Sequence, residues 1–226
     1  MKAEQFKQGR EKGTEYLLQQ FSSNGQFGDP DAGVTDYYKV PSAFQVSGRT
    51  QSANLLMDWI RKNGFKPNGD FGPRPGDNDL YYYLYFNSWV IIGAQRLGQF
   101  DLSQKGMEYL RRSWDFESGG FYSSVVDISP ETKQDLWVTS GCGQAALYTG
   151  HMDIAIGVGT WMKRLMELQP DYPRKLYTVY SRSKGLYVEI DKADPIRYVL
   201  INATEGDQFF FHPGIAAGFL ARLFQA

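Results

Sequence analysis

Apolar residues return every three to four positions, with charges between them, over Ala3 to Phe21, Thr50 to Lys62, Leu102 to Ser113 and Asp153 to Leu168. That spacing predicts four helices, each with one apolar and one polar face. Each is followed by a loop rich in Gly, Pro or Asp and then by a more uniformly apolar stretch: Tyr37 to Ser47, Leu80 to Leu97, Leu136 to Thr149 and Pro213 to Gln225. These predict four further helices, covered on more than one side. Gly48, Gly98 and Gly150 stand where three of them end, the place of a left-handed C-cap residue.

The join between the two kinds of helix also repeats. An aromatic-aliphatic pair leads to a Gly-x-aromatic turn four times: Tyr16-Leu17 to Gly25-Gln26-Phe27, Trp59-Ile60 to Gly69-Asp70-Phe71, Tyr109-Leu110 to Gly119-Gly120-Phe121, and Trp161-Met162 to Gly185-Leu186-Tyr187. Such self-similarity marks an architecture whose units bury their apolar faces against one another. The repeats run over 1–48, 49–98, 99–150 and 151–226, and predict one all-α domain spanning 1–226. Its expected form is an α/α toroid, or barrel, of four helical hairpins with the apolar helices inside. Ring closure is expected because the first helix is polar-faced and the last apolar, so the ends can pair; an open solenoid is the competing arrangement.

The fourth repeat departs from the others. Residues 175–211 alternate as strands do, in Leu176 to Tyr180, Leu186 to Ile190 and Ile196 to Ile201. A small antiparallel sheet is expected there, turning at Ser183-Lys184-Gly185 and Asp191 to Pro195, as a cap over a cavity mouth or an interaction surface.

Composition narrows the function classes. The 24 Lys+Arg balance 25 Asp+Glu to a net charge of -1, without a basic block, so nucleic acid is not an expected partner. The longest apolar run, Trp89 to Ala94, is too short to span a bilayer, and the polar start from Met1 to Lys12 is unlike a signal peptide or anchor. The single cysteine, Cys142, excludes an intrachain disulfide framework and fits a reducing compartment, so a cytoplasmic location is expected. Aromatic residues make up 15% of the chain, enough to line a cavity with flat apolar faces.

The apolar helices begin with an acid and aromatics: Asp36-Tyr37-Tyr38, Asp79-Leu80-Tyr81-Tyr82, Asp135-Leu136-Trp137 and Asp207-Gln208-Phe209-Phe210. An Asp ahead of a helix is first of all an N-cap. Four at one barrel mouth would raise one another's pKa and leave one able to donate a proton. A second register, counted back from the closing glycines, aligns Tyr37, Asn87 and Thr139, with His212 beside them, as a polar ring one step further in. Of the two histidines, His212 is the candidate base near neutral pH. Cys142 reads as a buried thiol.

Lys12-Gly13-Thr14-Glu15-Tyr16-Leu17 and Lys105-Gly106-Met107-Glu108-Tyr109-Leu110, each running on to Gly-x-Phe, resemble the repeat of squalene-hopene and oxidosqualene cyclases, with Phe or Tyr in place of the closing Trp. The wider resemblance is to the α/α-toroid superfamily of terpenoid cyclases and protein prenyltransferases, of which this chain looks like a small member. The cyclases' Asp-x-Asp-Asp acid is absent, as Asp77-Asn78-Asp79 and Asp29-Pro30-Asp31 lack the third carboxylate. Cys142 and His212 resemble two of the prenyltransferase zinc ligands, with Ser140 where an aspartate should stand. The expectation is therefore no cofactor, with zinc as the alternative.

The leading expectation is a terpenoid-cyclase-like enzyme that isomerises, cyclises or eliminates on a small, largely apolar ligand. Asp36, Asp79, Asp135 or Asp207 would supply a proton and His212 would remove one, inside walls of Tyr37, Tyr38, Tyr81, Tyr82, Asn87, Trp137, Thr139 and Phe210. A carbohydrate-processing or carbohydrate-binding barrel and a non-catalytic ligand-binding or scaffold protein are the alternatives.

Overall fold

The structure is a computed structural model that describes residues 2–73, 81–126, 128–189 and 200–226. Those residues are mostly helical, with small antiparallel sheets. The chain divides into two compact units, Met1–Asp77 with Phe86–Tyr109, and Asn78–Tyr85 with Leu110–Ala226.

The first unit holds α1 (Lys2–Gln19), α2 (Val34–Tyr37), α3 (Val40–Val46), α4 (Thr50–Asn63) and the greater parts of α5 (Tyr83–Arg96) and α6 (Phe100–Arg111). The helix expected from Tyr37 to Ser47 comes as two pieces. Pro41 has no N–H to give to the Tyr37 carbonyl, so the chain restarts with the proline in the first turn of α3. α3 packs on α4, and Phe44, Leu56, Met57, Ile60, Phe71 and Ile91 form the fully buried core of this unit.

In the second unit, β1 (Gln134–Asp135) leads directly into α7 (Leu136–Thr149), which packs against α8 (Met152–Glu167) and α9 (Phe211–Gln225). Along α7 nearly every residue is buried, which explains its uniformly apolar sequence. Gly143 makes the close packing possible: a Cβ there would lie 2.7 Å from Val158 and 2.9 Å from Phe219.

Three of the four Gly-x-aromatic segments fold alike, the third with one residue more between its bridged aromatics. Gly25, Gly69 and Gly119 have φ of 91°, 94° and 88°, a region closed to other residues at little cost. The flanking aromatics close each turn through an antiparallel bridge, Phe21 with Phe27, Phe65 with Phe71 and Trp114 with Phe121. Each glycine then abuts a main-chain carbonyl of the next polar-faced helix, that of Leu55, Lys105 or Gly157 respectively. That carbonyl always belongs to the residue four before the helix's marker aromatic, Trp59, Tyr109 or Trp161. The sequence repeat is thus a docking rule, in which a turn without a side chain seats on the backbone of the following helix.

The fourth copy does something else. Gly185 (φ 78°) turns a β-hairpin between β3 (Val179–Ser181) and β4 (Gly185–Leu186), and among the described residues nothing beyond its chain neighbours lies within 4 Å of where its Cβ would stand. The expected single sheet is two. β2 (Lys175–Tyr177) pairs with β5 (Leu200–Asn202), while β3 pairs with β4 on one side and with β1 on the other. The run from Leu176 to Tyr180 breaks at Thr178, whose carbonyl accepts the Leu136 N–H (2.9 Å) at the start of α7. The strand residues expected at 196–199 and the turn at 191–195 lie outside the described residues.

Candidate functional site: an aromatic cluster on Trp137

Asp135 sets the position of this cluster. Its backbone is extended (φ -116°, ψ 156°), and its Oδ1 accepts the N–H groups of Trp137 and Val138, both at 2.9 Å, so it is the N-cap of α7. Its Oδ2 accepts the Ser123 hydroxyl at 2.5 Å. Burial pushes its carboxyl up to about 6, against the pull of these hydrogen bonds. Cap and perturbed acid are the same residue.

Trp137, two residues on, is partly exposed and ringed by aromatic neighbours of the same unit. Tyr82 lies 4.9 Å away and tilted by 39°, Tyr85 4.6 Å away and tilted by 48°, and Phe211 stands edge-on at 5.5 Å. The His212 imidazole is 5.5 Å from the indole at 33° and 4.5 Å from the Phe211 ring. His212 is buried, and burial alone lowers its pKa to about 4, so it is a neutral imidazole at neutral pH. Tyr81, Tyr82 and Tyr187 pack together on Val179 and extend the aromatic surface, with the ammonium groups of Lys133 and Lys184 at 4.8 and 4.6 Å from the Tyr187 ring.

The other expected site residues have different work. Asn87 and Thr139 serve the turns: Asn87 Oδ1 accepts the buried Phe71 N–H (3.0 Å), and Thr139 Oγ1 accepts the Phe121 N–H (3.1 Å). Tyr37 is buried, donates its hydroxyl to the Gly72 carbonyl and stands edge-on to Trp59. Tyr38 is edge-on to Phe86 at 4.9 Å, with the Lys39 ammonium 5.3 Å from its ring.

Two acids depart from the capping pattern. Asp36 is not ahead of its helix but inside the four-residue α2, whose N-cap is Gly33; its Oδ2 accepts the Asp29 N–H (3.2 Å) and braces that loop. Asp207 is exposed, with φ 53°, and stands too far before α9 to cap it; Phe210 holds the N-cap position without a side-chain bond and is half exposed. Asp79 lies outside the described residues.

Burial raises the Cys142 thiol well above its ordinary value, and its Sγ lies 3.8 Å from the Leu84 carbonyl, a setting for an inert thiol. Among the described residues, no three His, Cys, Asp or Glu side chains gather in a group able to hold a metal ion.

A polar network absent from the sequence reading lies in the same unit. Asp115, almost fully buried, is 2.8 Å from Ser118 Oγ, 3.0 Å from Gln134 Nε2 and 3.6 Å from Arg182 Nε. Arg182 also pairs with Glu117, tying the β3–β4 hairpin to the third turn. Burial, and then the charge of Asp115, hold the Tyr122 phenol above its usual pKa. In the folded turn Asp115 takes the place of Ser22 and Lys66, each N–H bonding a carbonyl of its own turn at 2.9 Å, an equivalence that the longer third turn hides in the sequence.

No protein-family model, curated protein or solved structure matches the chain. The site therefore stands on its own geometry.

Proposed function

We propose that this protein binds a small, largely apolar molecule against Trp137 and acts on it by acid/base chemistry of the terpenoid-cyclase kind, an isomerisation or elimination that begins or ends in proton removal. The supporting observation is the pairing of a partly exposed indole, ringed by Tyr82, Tyr85 and Phe211, with a neutral buried imidazole, His212, in ring contact with it. Aromatic faces stabilise positive charge that develops on an apolar substrate, and a neutral imidazole accepts the proton that such a species loses. Asp135 fixes the indole by capping α7 and, with its carboxyl pushed up to about 6 by burial, holds a proton only below that pH.

The carbohydrate reading draws less support. Asp115 and Glu117, two carboxylates near each other in sequence, are both engaged by Arg182.

The test is saturation-transfer NMR of the full chain with a panel of terpenoid alcohols, alkenes, arenes and oligosaccharides, followed by incubation of any binder in D2O. Apolar binders lost in Trp137→Ala, and deuterium uptake into the ligand lost in His212→Asn, are expected. Binding confined to oligosaccharides, or deuterium uptake unchanged by His212→Asn, contradicts the proposal.

A further inference from the structure

We infer that Tyr82 is the specificity-determining cover of this site, a ring that a flat aryl ligand displaces to reach the indole face; the inference rests on the binding reading just given. Among the described residues, Tyr82 and Asp207 are the non-glycine residues with positive φ, 62° and 53°. In that region Cβ crowds the carbonyl that follows, and a bulky residue is held there only by its surroundings.

The surroundings are explicit. The Tyr82 N–H donates to the Ser123 carbonyl (3.1 Å), its own carbonyl accepts the Tyr85 N–H (2.9 Å), and Tyr81 forms an antiparallel bridge with Ser124. Ser123 is also the residue whose hydroxyl binds Asp135, so one serine secures both the cap beneath Trp137 and the ring above it.

The four rings around the indole differ in their freedom to move. Tyr85 and His212 are buried, and Phe211, although exposed, has its backbone fixed as the first residue of α9. Tyr82 is half-buried and lies just ahead of α5, which begins at Tyr83. Of the two accessible rings it is the one outside a helix, and relief of its left-handed backbone offsets part of the cost of moving it. At 4.9 Å the Tyr82 and Trp137 rings are in contact, and no ligand enters between them. The space that Tyr82 vacates is that of one flat ring, tilted 39° to the indole and bounded by Val179, Tyr81 and Tyr187. A planar aryl group fills such a space by stacking, whereas a puckered saturated ring of equal size does not.

The experiment uses the full chain labelled with 5-fluorotryptophan, its Trp137 fluorine resonance assigned by Trp137→Phe, and two probes, 2-naphthol and its saturated counterpart 2-decalol. Without ligand, the H2O-to-D2O isotope shift of that resonance is expected to be small in the wild type and in Tyr82→Phe, and several-fold larger in Tyr82→Gly. Tyr82→Asn, which tolerates the left-handed backbone, replaces Tyr82→Gly if the latter does not fold. With probe, 2-naphthol is expected to bind the opened variant at least tenfold more tightly than the wild type and at least tenfold more tightly than 2-decalol. An isotope shift unchanged in the opened variant overturns the cover. Equal affinity of 2-naphthol for both proteins, or of both probes for the opened variant, overturns displacement by a flat ring. A raised isotope shift with neither probe binding leaves the cover standing and overturns the ligand class together with the binding reading.

Discussion

The imidazole of His212 lies 5.5 Å from the indole of Trp137 and tilts 33° from it. This contact joins the second residue of α9 to the second residue of α7 and places a neutral imidazole among the rings around Trp137.

His212 and Asp135 should pull the stability of the protein in opposite directions with pH. His212 drops from an ordinary 6.5 to about 4, so the unfolded chain binds its proton more readily and stability is lost as pH falls from 6.5 to 4. Asp135 rises from 3.8 to about 6, so its stabilisation is present below 3.8 and is lost as pH rises through 6. Each effect is worth about 3 kcal/mol, and they largely cancel between pH 4 and 6. Urea denaturation of variants that lack one group, compared with the wild type at pH 4.5 and pH 7, should separate them. His212→Gln should be relatively more stable than the wild type at the lower pH, and Asp135→Asn relatively more stable at the higher. Parallel pH profiles for the two variants would contradict both shifts.

The turn glycines should be far less replaceable than the helix-end glycines. Gly69→Ala combines a backbone at φ 94° with a Cβ driven into the Lys105 carbonyl, and should cost about 2 to 4 kcal/mol in chemical denaturation. Gly98→Ala has φ 73° but open space, and should cost about 1 kcal/mol. Equal losses would mean that the docking of turn on helix carries no energy.

Asn87→Ala leaves the buried Phe71 N–H without its acceptor and should destabilise by about 1 to 3 kcal/mol. Thr139→Val should do the same to the Phe121 N–H. Hydrogen exchange supplies the local readout: the Phe71 amide should quicken in the first variant and the Phe121 amide in the second, ahead of amides elsewhere.

Arg182→Ala should loosen the β3–β4 hairpin and lower the denaturation midpoint, because Asp115 stays buried with one charge partner fewer. Glu117→Gln removes only the half-exposed side of the pair and should cost under about 1 kcal/mol. Faster exchange of the Tyr187 N–H, which bonds the Val179 carbonyl, should accompany the first change and not the second.

Much of the helical layout was legible in the sequence because its cause is local. Helical spacing placed α4, α7 and α8 within a residue or two of their observed bounds, and the turn glycines flagged three docking sites through a conformation that only glycine adopts cheaply. Asp135 was legible as a cap because capping, too, is a matter of a few neighbouring residues. What escaped depends on contacts distant in sequence. The pairing of Gln134-Asp135 with Val179 and Tyr180 splits the expected sheet, and the Asp115–Arg182 network needs that pairing to exist. Asn87 and Thr139 were read as a ring facing ligand because their polarity was visible, while the amides they satisfy were not.

The most direct test of the central proposal is a titration of the 5-fluorotryptophan-labelled protein with the terpenoid, alkene and arene panel, watching the resonance assigned to Trp137. The account predicts that at least one apolar compound shifts that resonance saturably, leaves those of Trp59 and Trp161 in place, and loses its effect in His212→Ala. A Trp137 resonance that stays fixed across the whole panel would contradict it.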